Sequence, residues 1–110
     1  LGKNCEIGSG VELKNCVVMD NTQIGRLSFI GDSVLGENVD IGSGCMTVNR
    51  SIDWKPISVK NGKRPTSTGM SKLGAFLGDG VVVGAGNMIQ PGTMVHSGKV
   101  IPACYSLTNK

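Results

Sequence analysis

The sequence predicts an all-β chain, a left-handed parallel β-helix of hexapeptide repeats with one loop extruded from it. Three observations carry that expectation. Large aliphatic residues recur every six positions. Glycine is abundant, at seventeen residues, while only four residues are Phe, Tyr or Trp. A single break in the period is basic and rich in turn signals.

The period is read directly from the chain. The pairs Ile7-Gly8, Ile24-Gly25 and Ile41-Gly42 recur every 17 residues, and Leu13, Ile30 and Thr47 lie between them at the same interval. Val18 and Leu35 complete the series. From Leu77 the spacing is a strict six, through Val83, Ile89, Val95, Ile101 and Leu107. Three hexads describe one turn of a triangular prism, each hexad giving a short strand and a corner. One coil cannot cover its own inner face, so stacked coils must stabilise one another.

Composition agrees with this geometry. With so few aromatic residues, the interior must be filled by Val, Ile, Leu and Met. The residue after each aliphatic, often Gly, is expected to begin the corner with backbone angles that a Cβ would forbid. Side chains alternate along a strand, so the residue two before each aliphatic should also point inward. Those residues are small: Thr22, Ser28, Ser33, Val39, Ala75, Val81, Asn87 and Thr93 among them. On this reading Cys5, Cys16 and Cys45 are small core residues rather than redox or metal ligands. No 3.6-residue stripe persists, which excludes a helical fold.

Several function classes are set aside on the same grounds. No two cysteines form a CxxC pair and His96 is the only histidine, so no metal site is expected. No apolar run approaches the ~20 residues of a membrane span. The chain begins at Leu1 with the repeat already running by Ile7, which reads as one domain, residues 1–110, of a longer protein.

The regular hexads stop near Thr47 and resume near Leu73 to Leu77. The segment between, about residues 49–72, reads as the extruded loop, with Asn61-Gly62 as a type I′ hairpin turn. Arg50, Lys55, Lys60, Lys63, Arg64 and Lys72 against Asp53 give it a net charge of +5, within a chain of +3 overall. Such a loop is either simply solvated or a site for a phosphorylated ligand. It lacks the recognition helix or stacking platform of a nucleic-acid binder, so no nucleic-acid partner is expected.

The stretch Arg26-Leu27-Ser28-Phe29-Ile30-Gly31-Asp32-Ser33-Val34-Leu35-Gly36, running into Asn38-Val39-Asp40-Ile41-Gly42-Ser43-Gly44, resembles the C-terminal β-helix of the sugar-1-phosphate nucleotidylyltransferases. It is similar to the bifunctional uridylyltransferase–acetyltransferases that make UDP-N-acetylglucosamine, and to their archaeal counterparts. Lys72-Leu73-Gly74-Ala75-Phe76-Leu77-Gly78-Asp79-Gly80 resembles the archaeal return to the prism after the loop. The resemblance implies a cytoplasmic homotrimer, a nucleotidyltransferase domain N-terminal to residues 1–110, and, in bifunctional members, acetyl transfer from acetyl-CoA to glucosamine-1-phosphate.

Residue by residue, the resemblance places Arg26 at the family's histidine general base, Phe29 at a tyrosine and Asp40 at an asparagine. Asn49 and Lys55 match an asparagine and a substrate-contacting lysine of the family's loop. Ser43 and Ala85 fall where the family lines its acetyl-CoA groove. A guanidinium stays protonated and cannot accept the amine proton. The base is therefore missing, with Asp40 and His96 the remaining candidates for one. His96 is counted as more than three coils beyond Arg26. Three functions stay open: a trimerising, phospholigand-binding scaffold domain, an acetyltransferase with a displaced base, and a free-standing trimeric binding module.

Overall fold

The computed structural model describes residues 1–61, 64–104 and 106–107, with side chains described in 1–59 and 66–104. It is the expected left-handed parallel β-helix, of about five coils. The first coil holds β1 (Glu6–Ile7), β2 (Glu12–Lys14) and β3 (Val17–Val18), and the second β4 (Gln23–Ile24), β5 (Phe29–Gly31) and β6 (Val34–Leu35). The third begins with β7 (Asp40–Ile41) and β8 (Met46–Thr47). After β8 the loop carries β9 (Ser58–Asn61) and β10 (Arg64–Ser67), and the coil closes with β11 (Phe76–Leu77). The fourth coil is β12 (Val82–Val83), β13 (Met88–Ile89) and β14 (Met94–Val95). The last comprises β15 (Val100–Ile101) and β16 (Ser106–Leu107).

Three parallel sheets form the walls. The first is ordered β1-β4-β7-β12-β15, the second β2-β5-β8-β13-β16 and the third β3-β6-β11-β14. Register follows the sequence period, with Ile7 beside Ile24, Ile24 beside Ile41, Ile41 beside Val83 and Val83 beside Ile101. The step from Ile41 to Val83 spans the loop, yet β7 and β12 pair as neighbours. The loop thus leaves the prism without disturbing the stack.

The interior is the aliphatic column that the period requires. Ile30 and Leu35 are fully buried, and Val18, Ile24, Ile41, Leu77, Val83 and Ile89 nearly so. Ile7 is more exposed because β1 pairs on one side only. The small inward residues also lie inside, and their hydroxyls knit coils together. Ser33 Oγ donates to the Gly31 carbonyl at 2.7 Å and accepts the Ala75 amide at 2.9 Å. Thr22 Oγ1 does the same between the Gly36 carbonyl and the Val39 amide. Each hydroxyl satisfies buried backbone groups that a regular ladder leaves open at a corner. Cys45 is buried and Cys5 and Cys16 half-buried against the core, all three unpaired. Burial pushes the Cys16 and Cys45 thiols up from their ordinary value.

Two local expectations need correction. The glycines that follow the aliphatics do not have left-handed backbone. They are required because the next coil passes too close: a Cβ on Gly25 would lie 2.6 Å from the Ser43 amide nitrogen, and one on Gly42 2.5 Å from that of Ala85. The left-handed residues come two positions later, at Gly44 and Gly86 but also at Leu27, Asn21 and Asn38. The hairpin also closes differently. Asn61 pairs with Arg64 and so belongs to β9 rather than to the turn. The expected type I′ turn lies outside the described residues.

Among the described residues no helix is long and apolar enough to cross a membrane, and no group of His, Cys, Asp and Glu could hold a metal ion.

Candidate functional site

The loop neck is built from side chains that face the corner between the second and third walls. Asn49 follows β8 and is half-buried. Its Nδ2 donates to Asp32 Oδ2 at 2.8 Å, and its carbonyl accepts the Leu73 amide at 2.8 Å. One residue therefore ties the outgoing leg of the loop both to the coil below and to the returning leg. Gly31 makes room for this clasp. A Cβ there would meet the Phe29 ring at 2.6 Å and Asn49 Nδ2 at 3.1 Å.

From this neck a furrow runs along the outer face of the second wall. Its floor is Phe29, Met46 and Met88, outward-facing residues of β5, β8 and β13. Val48 and, from the loop, Arg50 and Ile52 line both of its openings. The larger continues to Gln90 and Pro91. Apart from Arg50 and Asp53, the charged side chains of the described loop lie outside it.

A second feature lies at the corner between the first and second walls. Arg26, Ser43, Ala85 and Ala103 stack there, all exposed, one per coil. The column is set by backbone hydrogen bonds: the Gly44 amide donates to the Arg26 carbonyl at 2.9 Å, that of Gly86 to Ser43 at 2.9 Å, and that of Cys104 to Ala85 at 2.8 Å.

The sequence-derived residues thus separate into groups. Arg26, Ser43 and Ala85 share one corner, and Phe29 and Asn49 share the furrow. Asp40 stands on the outer face of the first wall, between Gln23 and Val82, and shares a shallow depression with Ser43. Arg26 makes no ion pair with Asp40 or any other carboxylate among the described residues. Lys55 reaches Asp53 at 3.7 Å with both side chains largely exposed, a pair of little energetic weight. Asp53 is held below the usual carboxylate range, first by the Lys55 amide and then by the Ser51 hydroxyl.

His96 occupies a different corner, exposed, at the end of β14. The Arg26 column reaches Ala85 after two coils, and His96 follows within the next turn, about two and two-thirds coils beyond Arg26. The expected separation of more than three coils was too large because loop residues add length without adding coils. Sequence reasoning missed Ala103, although it stands 18 residues after Ala85, the same step that relates Val83 to Ile101. It also missed Gly31 and Met88, and it named Arg50 only as one of the loop's cations. The outward Met46 and Met88 were legible as the residues preceding the inward positions of β8 and β13.

The family model for the GMPPB C-terminal domain matches residues 1–63. Among curated proteins, the chain is 36% identical over 103 residues to a "Bifunctional protein GlmU" of Methanococcus maripaludis, covering 94% of this chain and 25% of that protein. It is 39% identical over 90 residues to a "Bifunctional sugar-1-phosphate nucleotidylyltransferase/acetyltransferase" of Sulfurisphaera tokodaii, covering 82% of this chain and 22% of that protein. A "Bifunctional protein GlmU" of Methanocaldococcus jannaschii is 38% identical over 97 residues, covering 88% and 24% respectively. The chain spans about a quarter of the length of these relatives.

Proposed function

The chain belongs to the GMPPB C-terminal domain family, and from that premise we propose that it is the trimer-forming β-helix domain of a sugar-1-phosphate nucleotidylyltransferase, one in which the acetyl-transfer base of bifunctional relatives is replaced. Nucleotidyl transfer would then reside in the part of the relatives' length that this chain does not span.

The observation that carries the reading is Arg26. It stands exposed at the corner where, by the family resemblance, the histidine base belongs, in one column with Ser43 and Ala85. A positioned base is worth about 10²- to 10⁴-fold in rate, and a guanidinium cannot serve as one. His96, at another corner and about two and two-thirds coils away, does not reach the same column within one chain. Arg26 remains at that corner as an exposed cation suited to a sugar phosphate, while Asn49 and Lys55 lie with the loop at a different corner. The exposed small residues Ser43 and Ala85, continued by Ala103, leave space along the corner for the extended arm of acetyl-CoA.

Assembly has its own support. The outward residues of the third wall are Val17, Val34, Phe76 and Met94, an unbroken apolar strip. Val17 and Met94 are more than half exposed. The first wall instead presents Glu6, Gln23 and Asp40 over its first three strands. A prism side with an unbroken apolar strip is suited to closing around a threefold axis.

A second reading is favoured by Asp40, an exposed carboxylate beside Ser43: acetyl transfer with Asp40 as the displaced base. One assay separates the two. Acetyl-CoA turnover with glucosamine-1-phosphate should be near background for the natural sequence and rise in Arg26→His combined with Phe29→Tyr and Asp40→Asn. Robust turnover by the natural sequence, abolished by Asp40→Asn alone, would overturn the scaffold reading.

A further inference from the structure

The loop carries the chain's only tryptophan, and its setting is not explained by the fold. Trp54 is 53% exposed, has left-handed backbone at φ 60°, and contributes nothing to the prism core. A bulky residue rarely adopts that conformation without a compensating constraint. Here the constraint is a tight turn. The Trp54 amide donates to the Ser51 carbonyl at 3.2 Å, Ser51 Oγ donates to the Lys55 carbonyl at 3.1 Å, and the Lys55 amide donates to Asp53 Oδ1 at 3.2 Å. The turn holds the indole outward rather than letting it fold onto the furrow.

Two cations converge on that indole from opposite legs of the loop. Arg50 Cζ lies 4.3 Å from the ring centroid and Lys72 Nζ 5.9 Å from it. Neither is paired with a carboxylate among the described residues, since Asp53 is engaged with Lys55. Each contact with the ring is favourable by itself. Holding two like charges against one ring without a counter-anion is not, and a bound anion would relieve it. The ligand that answers all three groups has a flat aromatic part for the exposed indole surface and adjacent phosphates for the cations.

We propose that Trp54, Arg50 and Lys72 form a binding platform for a nucleoside diphosphate, the base stacking on the indole and the phosphates bridging Arg50 and Lys72. The platform uses neither Arg26 nor the corner column, so it stands apart from the site proposed above. Stacking on an aromatic side chain is tolerant of base identity, so uridine and guanosine diphosphates should both bind. The charge contribution should weaken with salt.

Trp54 is its own reporter. The 110-residue chain is titrated with UDP, GDP, uridine and inorganic pyrophosphate while its tryptophan emission is followed, with calorimetry as the second readout. Both diphosphates should quench saturably, and uridine and pyrophosphate should bind at least about tenfold more weakly. Arg50→Gln and Lys72→Gln should each weaken the diphosphates several-fold. By calorimetry Trp54→Phe should keep much of the binding that Trp54→Ala loses, a graded pattern that unfolding would not produce. Pyrophosphate binding as tightly as UDP, diphosphate affinity unchanged in Arg50→Gln and Lys72→Gln, or no saturable binding at millimolar concentrations would each overturn the proposal. So would a short oligothymidylate that binds more tightly than either diphosphate, since it would mark a nucleic-acid surface instead.

Discussion

In the coils, each inward aliphatic of the middle turns is covered by coils on both sides, and Ile30 and Leu35 expose none of their surface. In the loop, Ile52 is 97% exposed and Trp54 more than half exposed. The coils satisfy their backbone by repetition, with the same ladder at every rung. The loop combines the short β9–β10 ladder with single, specific hydrogen bonds at its base. The Ile57 amide donates to the Met70 carbonyl at 2.8 Å, that of Thr68 to Ile57 at 2.9 Å, and that of Leu73 to Asn49 at 2.8 Å. A repetitive interior therefore carries the fold, and a non-repetitive insertion carries six of the chain's eleven Lys and Arg residues.

Substitutions placed in the two regions should differ most where burial differs most. Ile30→Asp should unfold the chain, because an unpaired charge in the core costs several kcal/mol. The matched change Ile52→Asp should leave the urea midpoint almost unmoved. A similar loss at both positions would show that the loop is part of the core.

Next in size is the buried hydroxyl that joins coils. Ser33→Ala leaves the Ala75 amide without the acceptor it now has at 2.9 Å, at an expected cost of about 1–3 kcal/mol in denaturant unfolding. The corresponding loop change is Asn49→Ala, which removes the bond to Asp32 and should cost only about 1 kcal/mol. Its effect should be local, with faster hydrogen exchange around residues 49–58 and unchanged exchange in β12 and β13. Faster exchange throughout the coils would mean that the clasp holds the prism and not only the loop.

The smallest effect is a gain. Leu27 adopts φ 59° at a corner and is 71% exposed, so it holds a strained conformation with little burial in return. Another corner uses Asn4, Asn21 and Asn38 for the same backbone. Leu27→Asn should raise thermal stability by up to about 1 kcal/mol. A loss instead would show that the Leu27 side chain is needed where it lies.

The coils were legible in the sequence because their physics is periodic. The inward aliphatics, the small residues two before them and the single interruption all follow from one spacing. What spacing could not reveal was which atoms meet across coils. Gly25 and Gly42 looked like residues chosen for unusual backbone angles, and only the stacked coils show that the next coil's backbone excludes a Cβ there. The site was less legible for the same reason. Residue identity gave Arg26, Phe29 and Asn49, but the insertion between Arg26 and His96 hides how many coils separate them. The convergence of Arg50 and Lys72 on Trp54 joins residues 22 positions apart in sequence without any repeat to signal it.

The division between a self-sufficient stack and an added loop is tested most directly by removing the loop. The Leu73 amide already bonds to the Asn49 carbonyl, and β7 pairs with β12 across the insertion. A chain in which residues 50–72 are replaced by a Gly-Gly link should therefore close without strain. Its far-UV spectrum should remain that of strands, and its urea unfolding should stay cooperative with a midpoint close to that of the intact chain. A loop-deleted chain that is unfolded or unfolds without cooperativity would contradict the account, because it would make the loop a structural partner of the coils.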